Sequence, residues 1–253
     1  MLIYVRKGLL KSVEEHVLNE SALRDNSYPG RGIIMGIDST GTYFVQVYWL
    51  MGRSENSRNR ILSLENENLK TKAYDPSKVE DPSLIIYDAM TEVANNHIVS
   101  NGDQTTTIAD FVEKGSSFED ALATRTYEPD APNFTPRISG FFGSDQSIKF
   151  SIISKDPIED RPVRKIYEKT LANFKKGKGL CIHTYKGDGD PIPSFDSRPF
   201  VVGIAGSAED IAQKFWELLD AENKISIAVK MIPMNPAAKS EFYIINKNGE
   251  TPQ

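Results

Sequence analysis

Residues 33–50 read Ile-Ile-Met-Gly-Ile-Asp-Ser-Thr-Gly-Thr-Tyr-Phe-Val-Gln-Val-Tyr-Trp-Leu. Two apolar runs rich in β-branched and aromatic residues flank the polar turn at Asp38–Gly41, and this pattern is typical of a β-hairpin. Downstream, runs of strand-like sequence alternate in blocks with short helical patterns. Separate blocks of strands and helices predict an α+β fold. The further predicted strands cover 60–64, 84–93, 97–100, 137–142, 147–154, 179–185, 200–204, 225–232 and 242–245.

Polar residues mark the starts of the predicted helices. Thr107 is expected to cap a helix over 108–114, and Ser116 with Glu119 forms a capping-box pattern for a helix reaching about residue 124. Ser207 and Asp210 open an amphipathic helix through residue 219. A further short helix is predicted over 9–22.

Composition limits the class of ligand. The 253 residues suffice for one large domain with a sizeable core. A net charge of −5 and an isoelectric point near 5.4 argue against binding to nucleic acid or an anionic membrane, and favour a small anionic ligand in a local basic pocket. The first apolar run, 1–5, lacks the length of a signal peptide, so a cytoplasmic location is expected. The single cysteine, Cys181, excludes an internal disulfide and a multi-thiolate metal site.

Three arginines follow the second strand of the predicted hairpin directly. Arg53, Arg58 and Arg60 lie within the ten residues from Met51. Guanidinium groups are planar, permanently charged forks that suit phosphate or carboxylate, so their clustering at the end of a strand indicates an anion-binding site. The alternative is a solvated loop whose arginines pair with nearby glutamates, and the cluster alone does not decide between the two.

Three further blocks accompany this cluster. They are Tyr-Pro-Gly-Arg-Gly at 28–32, Val-Ser-Asn-Gly at 99–102 with Thr-Thr-Thr-Ile-Ala-Asp at 105–110, and Tyr-Glu at 127–128 with Thr-Pro-Arg-Ile at 135–138. In this order the four blocks resemble the archaeal-type IMP cyclohydrolase family. The resemblance runs from about residue 28 to the C-terminus and is strongest up to residue 138.

The resemblance implies a fold and a reaction. The fold is a four-layer αββα sandwich resembling N-terminal nucleophile hydrolases, formed by a domain at 28–253 behind a helical N-terminal extension at 1–27. The reaction dehydrates 5-formamidoimidazole-4-carboxamide ribonucleotide and so closes the purine ring of inosine monophosphate. It needs no metal or redox cofactor, and its partner is a small purine nucleotide.

Residues matching the family pattern receive catalytic roles. Arg60 and the Tyr87 hydroxyl are expected to stabilise charge developing on the formyl oxygen, and Glu128 is expected to handle the carboxamide proton. The same resemblance implies the substrate-binding residues. Positive charge is expected from Arg31, Arg53 and Arg137, and Asn59 or Asn133 is expected to bind the carboxamide. An anion is expected at a helix N-terminus formed by Asn101, Gly102, Thr105 and Thr107.

Two other functions stay open. Compared with the family pattern, the sequence carries the N-terminal extension and a longer stretch between Arg53 and Arg60. The longer stretch adjoins the expected pocket, so a catalytically silent purine-nucleotide binder is one alternative. An amide hydrolase is the other, and it would require cleavage before Ser27. The extension is also a candidate contact in a homo-oligomer.

Overall fold

The computed structural model describes residues 14–79, 82, 85–235 and 237–249. In chain order the strands are β1 Gly32–Ile37, β2 Tyr43–Met51, β3 Arg60–Glu65, β4 Asn68–Ala73, β5 Asp88–Val93, β6 Asn96–Ser100, β7 Arg137–Phe142, β8 Ser147–Lys155, β9 Pro162–Thr170, β10 Lys178–His183, β11 Phe200–Gly203, β12 Lys224–Pro233 and β13 Glu241–Asn246. The α-helices are α1 Glu15–Arg24, α2 Glu55–Arg58, α3 Gln104–Glu113, α4 Phe118–Ala123 and α5 Ala208–Leu218. None of these helices is long and apolar enough to cross a membrane.

The predicted hairpin forms the middle of a six-stranded antiparallel sheet in the order β11-β10-β1-β2-β12-β13. Gly32 pairs with Trp49 at one end of the hairpin, and Ile37 pairs with Phe44 at the other. The Asp38 carboxylate holds the turn, since it accepts hydrogen bonds from the backbone N–H groups of residues 42 and 43 at 2.9 and 2.8 Å. The predicted hairpin is therefore confirmed.

The remaining seven strands form a second antiparallel sheet in which each strand pairs with the next along the chain, from β3 to β9. Strands β4 and β9 were not predicted. Lysines, an asparagine and a threonine interrupt the apolar pattern of β4, and β9 is an edge strand without a buried residue. Both strands are held by hydrogen bonds to their neighbours, which an apolar pattern does not reveal.

Apolar residues form one core between the sheets and another on the outer face of each sheet. The inner core joins residues of both sheets, such as Tyr48 on β2 and Ile138 on β7. On the six-stranded sheet, residues of alternate parity on β2 pack instead with Leu23 of α1 and Phe215 of α5. On the seven-stranded sheet, α3 and α4 pack over β6, β7 and β8. The architecture is α+β with two antiparallel sheets and is compatible with a sandwich.

Two predicted helix starts are wrong by small shifts. Helix α3 begins at Gln104, so Thr107 lies inside the helix, where its N–H bonds the Asp103 carbonyl. The capping box of α4 is formed by Ser117 and Asp120, one residue later than predicted. A serine follows a serine here, and the local pattern fits both registers. The predicted box that opens α5 at Ser207 is confirmed. Of the first predicted helix, residues 9–13 lie outside the described part, and α1 ends at Arg24.

Candidate active site

The sheets bring the ends of several distant segments together. The start of β1 lies beside the end of β2, and the start of β7 lies beside the end of β6, because both pairs are antiparallel. Arg31 precedes β1, Asn101 follows β6, and Arg137 begins β7. Tyr87 precedes β5 and Glu128 lies in the loop that leads into β7. Residues up to 106 positions apart in sequence thus share one region.

A buried ion pair joins two of the predicted site residues. Arg31 Nη2 donates to Glu128 Oε1 at 2.8 Å, and the two side chains are only 11% and 4% exposed. Burial raises the pKa of the Glu128 carboxyl, while the charges of Arg31 and Arg137 oppose that rise. The Glu128 N–H donates to the Thr135 carbonyl at 2.9 Å, which fixes the loop that carries the carboxylate. The Glu128 carboxylate is consequently buried and held in place by hydrogen bonds.

Two tyrosine hydroxyl groups meet close to the same charges. The hydroxyls of Tyr48 and Tyr87 are 2.7 Å apart, and both side chains are buried. Burial raises the pKa of both phenols, although the charges of Arg60 and Arg31 act in the opposite direction. Both groups therefore carry a proton at neutral pH. Since only one of them donates within the pair, the proton of the other is available to a ligand.

Of the three clustered arginines, Arg60 enters the interior. It is 2% exposed, and its guanidinium donates to the backbone carbonyls of Ser57 at 2.7 Å and Met51 at 3.2 Å. Arg53 is exposed, pairs with Asp188 and lies over the ring of Tyr28. Arg58 is exposed and donates to the Gly52 carbonyl. Arg53 and Arg58 are thus solvated, as the loop interpretation predicts, but neither pairs with a glutamate among the described residues, and the interpretation fails for Arg60.

A network of carboxamides links Arg137 to Glu128. Arg137 Nη1 donates to Gln104 Oε1 at 2.8 Å, and Gln104 Nε2 donates to Asn101 Oδ1 at 2.9 Å. Asn101 Nδ2 in turn donates to the Pro136 carbonyl at 2.9 Å and lies 3.5 Å from Glu128 Oε1. The side chains of Asn101 and Gln104 are fully buried. The predicted Asn101 thus positions other site residues as well as lying near the carboxylate.

Gly102 provides room for the guanidinium of Arg137. A β-carbon at this position would lie 2.6 Å from Arg137 Nη1 and 2.7 Å from Gln104 Oε1. Arg137 also pairs with Asp103 at 2.7 Å, and Asp103 pairs with Arg125. Since the Asp103 side chain is engaged by these arginines, it does not cap α3. A side chain at position 102 would therefore displace the ends of the Arg137 and Gln104 side chains.

Two buried guanidinium nitrogens of the charged cluster lack a hydrogen-bond partner. Neither Arg31 Nε nor Arg137 Nε has a hydrogen-bond partner among the residues that the structure describes. A buried donor without a partner is costly, and a ligand that supplies an acceptor removes the cost. The positive charge of Arg31, Arg60 and Arg137 favours a ligand that carries negative charge.

Several predicted binding residues are engaged in other contacts. Both ends of the Asn59 carboxamide bond the backbone of Asp75, at 2.8 and 2.7 Å. Asn133 Oδ1 accepts from the Ile192 N–H at 3.0 Å. Thr105 is buried against Ser100. The structure does not bring these side chains into the charged cluster, and their binding roles, like that of Thr107, stay predictions.

Five polar residues of this region have no site role in the prediction from sequence, although Thr135 lies in one of the four blocks: Tyr48, Gln104, Asp130, Thr135 and Tyr185. Tyr48 lies in an apolar strand, where a phenol is expected to pack, although its hydroxyl needs a partner when buried. The sequence places Tyr185 only at the end of the predicted strand 179–185. Gln104 lies between the quoted runs 99–102 and 105–110, and no motif or periodicity in the sequence points to it. A metal site was not predicted, and no group of three or more His, Cys, Asp or Glu side chains suited to a metal occurs in the described residues.

Comparison with known proteins identifies the family. The model of the family described as IMP cyclohydrolase-like protein matches residues 28–235, which is most of the chain. The chain belongs to the IMP cyclohydrolase-like family. The match includes all the predicted site residues, from Arg31 to Arg137.

Relatives from archaea show the same similarity. A protein named IMP cyclohydrolase from Haloquadratum walsbyi is 29% identical over 195 residues, which is 76% of this chain and 84% of the relative. Another protein of that name, from Methanococcus maripaludis, is 25% identical over 213 residues, covering 81% of this chain and 95% of the relative. The predicted membership of this family is confirmed.

Proposed function

We propose that the protein is an IMP cyclohydrolase that dehydrates 5-formamidoimidazole-4-carboxamide ribonucleotide to inosine monophosphate. The observation that supports this most strongly is the buried Glu128–Arg31 pair beside the Tyr48–Tyr87 hydroxyl pair. This arrangement offers a base, proton donors and positive charge in one dry region. Membership of the family and the names of the archaeal relatives agree with the proposal.

The reaction determines what these groups must do. The carboxamide nitrogen attacks the formyl carbon and forms the ring C–N bond. The former formyl oxygen then leaves as water, with one proton from the carboxamide nitrogen and one from the formamido nitrogen. An amide nitrogen is a poor nucleophile and a formamide carbon is a poor electrophile, so positioning and proton transfer carry the catalysis.

Glu128 acts as the base toward the carboxamide nitrogen. Its raised pKa makes it a stronger base than an exposed glutamate, because burial removes the water that would stabilise the charge. Arg31 and Asn101 hold the carboxylate in place. The proton that Glu128 removes is returned when the oxygen leaves as water.

Arg60 and Tyr87 act on the formyl oxygen. Tyr87 presents a phenol that burial keeps protonated, and Tyr48 orients it by sharing a hydrogen bond. Arg60 is fixed by two backbone carbonyls, so its charge is preorganised toward this region. Together they stabilise the negative charge that develops on the oxygen as the ring closes.

The nucleotide is held by the charged network around Gly102. The unpartnered Nε groups of Arg31 and Arg137 are available to an anionic substrate group. Asn101 and Gly102 approach the same region from the turn before α3, and Thr105 and Thr107 lie in the first turn of that helix. In this proposal Arg53 adds positive charge for the anionic group, and Asn59 or Asn133 binds the carboxamide of the substrate.

We extend the proposal to the architecture. In this proposal the two sheets and the outer helices form a four-layer αββα sandwich that resembles N-terminal nucleophile hydrolases. The proposed reaction does not use a terminal nucleophile. The catalytic domain covers 28–253, and the N-terminal extension, which includes α1, docks on β11 through Asn19 and Glu20. The extension is also proposed as a homo-oligomer contact. The enzyme acts in the cytoplasm on a small nucleotide, without cofactor or nucleic acid.

The test is ring closure by the purified protein in chelator-treated buffer, with inosine monophosphate measured by chromatography. Glu128→Gln should lower kcat by at least about a hundredfold while nucleotide affinity changes only a few fold, because it removes the base and keeps the shape. Glu113→Gln is the matched control, since Glu113 is exposed on α3. Equal losses of kcat and affinity in Glu128→Gln would contradict the role as a base.

The same experiment separates the alternatives. Saturable binding of inosine monophosphate without turnover would support a nucleotide-binding protein instead. The amide-hydrolase alternative predicts an intact mass that lacks the peptide before Ser27, and a full-length chain would oppose it.

A further inference from the structure

A chain of three polar side chains adjoins the proposed active site. Thr135 Oγ1 is within hydrogen-bond contact of both Asp130 Oδ2 and the Tyr185 hydroxyl. The Thr135 N–H also donates to Asp130 Oδ1 at 2.7 Å, so Asp130 receives two hydrogen bonds from one residue. Thr135 and Tyr185 are 1% and 4% exposed. The proposed reaction has assigned no role to these residues.

The number of hydroxyl protons fixes which group donates and which accepts in these hydrogen bonds. An ionised carboxylate only accepts hydrogen bonds, so the single hydroxyl proton of Thr135 points to Asp130. Thr135 Oγ1 can then only accept from Tyr185, and the Tyr185 proton is directed toward Thr135. The Tyr185 oxygen is left with lone pairs and no proton for its other neighbours. Toward a ligand the Tyr185 hydroxyl can therefore only accept a hydrogen bond, whereas a free phenol can both donate and accept.

Tyr185 is attached to the segment that carries Arg31. The Tyr185 N–H donates to the Pro29 carbonyl at 3.1 Å, and the neighbouring Thr184 N–H donates to the Arg31 carbonyl at 2.9 Å. Gly30 has a φ of +74°, and a β-carbon there would lie 2.5 Å from the Tyr185 ring. The glycine thus allows the ring to lie against this segment, next to Arg31.

The Tyr185 phenol also belongs to the electrostatic environment of the site. Burial raises its pKa to about 12, and the charges of Arg31, Asp130 and Glu128 all act on it. Tyr185 is therefore a neutral hydrogen-bonding group, and Thr135, which it contacts, also accepts the Glu128 N–H through its carbonyl at 2.9 Å. The Tyr185 oxygen and the Glu128 carboxylate are both acceptors, so together they suit a ligand group that carries two N–H groups.

We propose that the Tyr185 oxygen accepts a hydrogen bond from the carboxamide N–H of the substrate, and that Thr135 and Asp130 are positioning residues that keep the Tyr185 proton away from it. The inference rests on the proposed function. A primary carboxamide has two N–H groups, so one can bond Tyr185 while the other faces Glu128. A carboxylate in its place offers no proton and only repulsion between lone pairs, so this contact selects for the carboxamide.

The test compares the affinities of two nucleotides by titration calorimetry. The probes are 5-aminoimidazole-4-carboxamide ribonucleotide and its 4-carboxylate counterpart, which differ only at the group in question. Glu128 repels the carboxylate in both the unaltered protein and Tyr185→Phe, so its effect cancels in that comparison, which leaves every charge in place. Tyr185→Phe should reduce the preference for the carboxamide by about three- to tenfold, which corresponds to one neutral hydrogen bond.

Asp130→Asn tests the direction of the chain. An asparagine amide can donate to Thr135 Oγ1, which turns the Thr135 proton to Tyr185 and the Tyr185 proton into the site. The preference for the carboxamide should then fall at least as far as in Tyr185→Phe, through weaker binding of the carboxamide nucleotide; stronger binding of the carboxylate alone would follow from the lost charge of Asp130. A merely structural role would weaken both nucleotides equally. The control is Tyr243→Phe, which removes a hydroxyl bonded to Glu209 at an exposed position.

The outcomes separate this inference from the proposed function. An unchanged preference in Tyr185→Phe overturns the contact, and an unchanged preference in Asp130→Asn overturns the relay. If the unaltered protein closes the ring while Tyr185→Phe keeps its preference, the inference fails and the proposed function stands. If the unaltered protein binds neither nucleotide and does not close the ring, both the inference and the proposed function are wrong.

Discussion

At the scale of single residues, the ionisation of Glu128 is governed by opposing influences. Burial raises its pKa most strongly, the guanidinium groups of Arg31 and Arg137 lower it, and the negative charge of Asp130 raises it further. Arg31 contributes the largest of the lowering effects and also donates the hydrogen bond to the carboxylate. Arg31 therefore lowers the pKa of the proposed base, in addition to its proposed role in binding the nucleotide.

Replacing Arg31 should consequently change the pH dependence of the enzyme. In Arg31→Ala the carboxylate loses its nearest cation, so the pKa of Glu128 rises and the ascending limb of kcat/KM moves to higher pH by about one unit or more. Arg31→Lys keeps the charge and should restore most of the native profile. The measurement is kcat/KM against pH for both variants. A higher KM with an unmoved limb would mean that Arg31 only binds substrate.

At the scale of secondary-structure elements, hydrogen bonds at helix ends decide where each helix begins. Ser117 has extended backbone angles and accepts from the Asp120 N–H, while the Asp120 carboxylate accepts from the Ser117 N–H. The preceding Ser116 instead uses its N–H to close the end of α3 by donating to Phe111 at 2.8 Å. One serine caps α4, and its neighbour belongs to the end of α3.

These two serines should differ in their effect on stability. Ser117→Ala removes a capping hydroxyl and should lower the free energy of unfolding by about 1 kcal/mol. Ser116→Ala should change it by less than about 0.5 kcal/mol, because no cap is lost. Urea unfolding of the two variants provides the comparison. A larger loss in Ser116→Ala would restore the register predicted from the sequence.

At the scale of the whole molecule, two buried histidines couple folding to pH. Burial lowers the pKa of His183 to about 4, and burial together with the nearby Lys230 lowers that of His97 to about 3. Both are neutral in the folded protein, whereas an unfolded chain binds protons at the ordinary histidine pKa near 6.5. Their stabilising effect is present above about pH 6.5 and is lost as the pH falls toward 4.

Removing His183 should therefore weaken the acid sensitivity of the fold. In His183→Asn the loss of unfolding free energy between about pH 7 and pH 5 should be smaller by roughly 2 kcal/mol. Asparagine retains an N–H that can serve the Tyr185 carbonyl, to which His183 Nδ1 is bonded at 2.8 Å. Denaturant titrations at both pH values give the difference. An unchanged pH dependence would show that His183 takes up no proton on unfolding.

Sequence patterns predicted elements whose stability comes from burial. The runs of β1, β2, β7 and β12 are apolar because both of their faces are covered, and each was predicted within two residues at either end. Strands β4 and β9 were missed because backbone hydrogen bonds to the adjacent strands hold them, and their polar side chains give no apolar alternation that would reveal this pairing. The same limit applies to Gln104, which is buried only because Arg137 and Asn101 surround it.

The sequence by itself determined the α+β class, the central hairpin, the helix α5 and the membership of the IMP cyclohydrolase-like family. These follow from local patterns and short motifs, which need no knowledge of distant contacts. Only the tertiary structure decided that Arg60 is buried while Arg53 is exposed, that Glu128 pairs with Arg31, and that Tyr48 meets Tyr87. Burial and pairing depend on how the two sheets align, and the alignment sets the charges and pKa values that make the site.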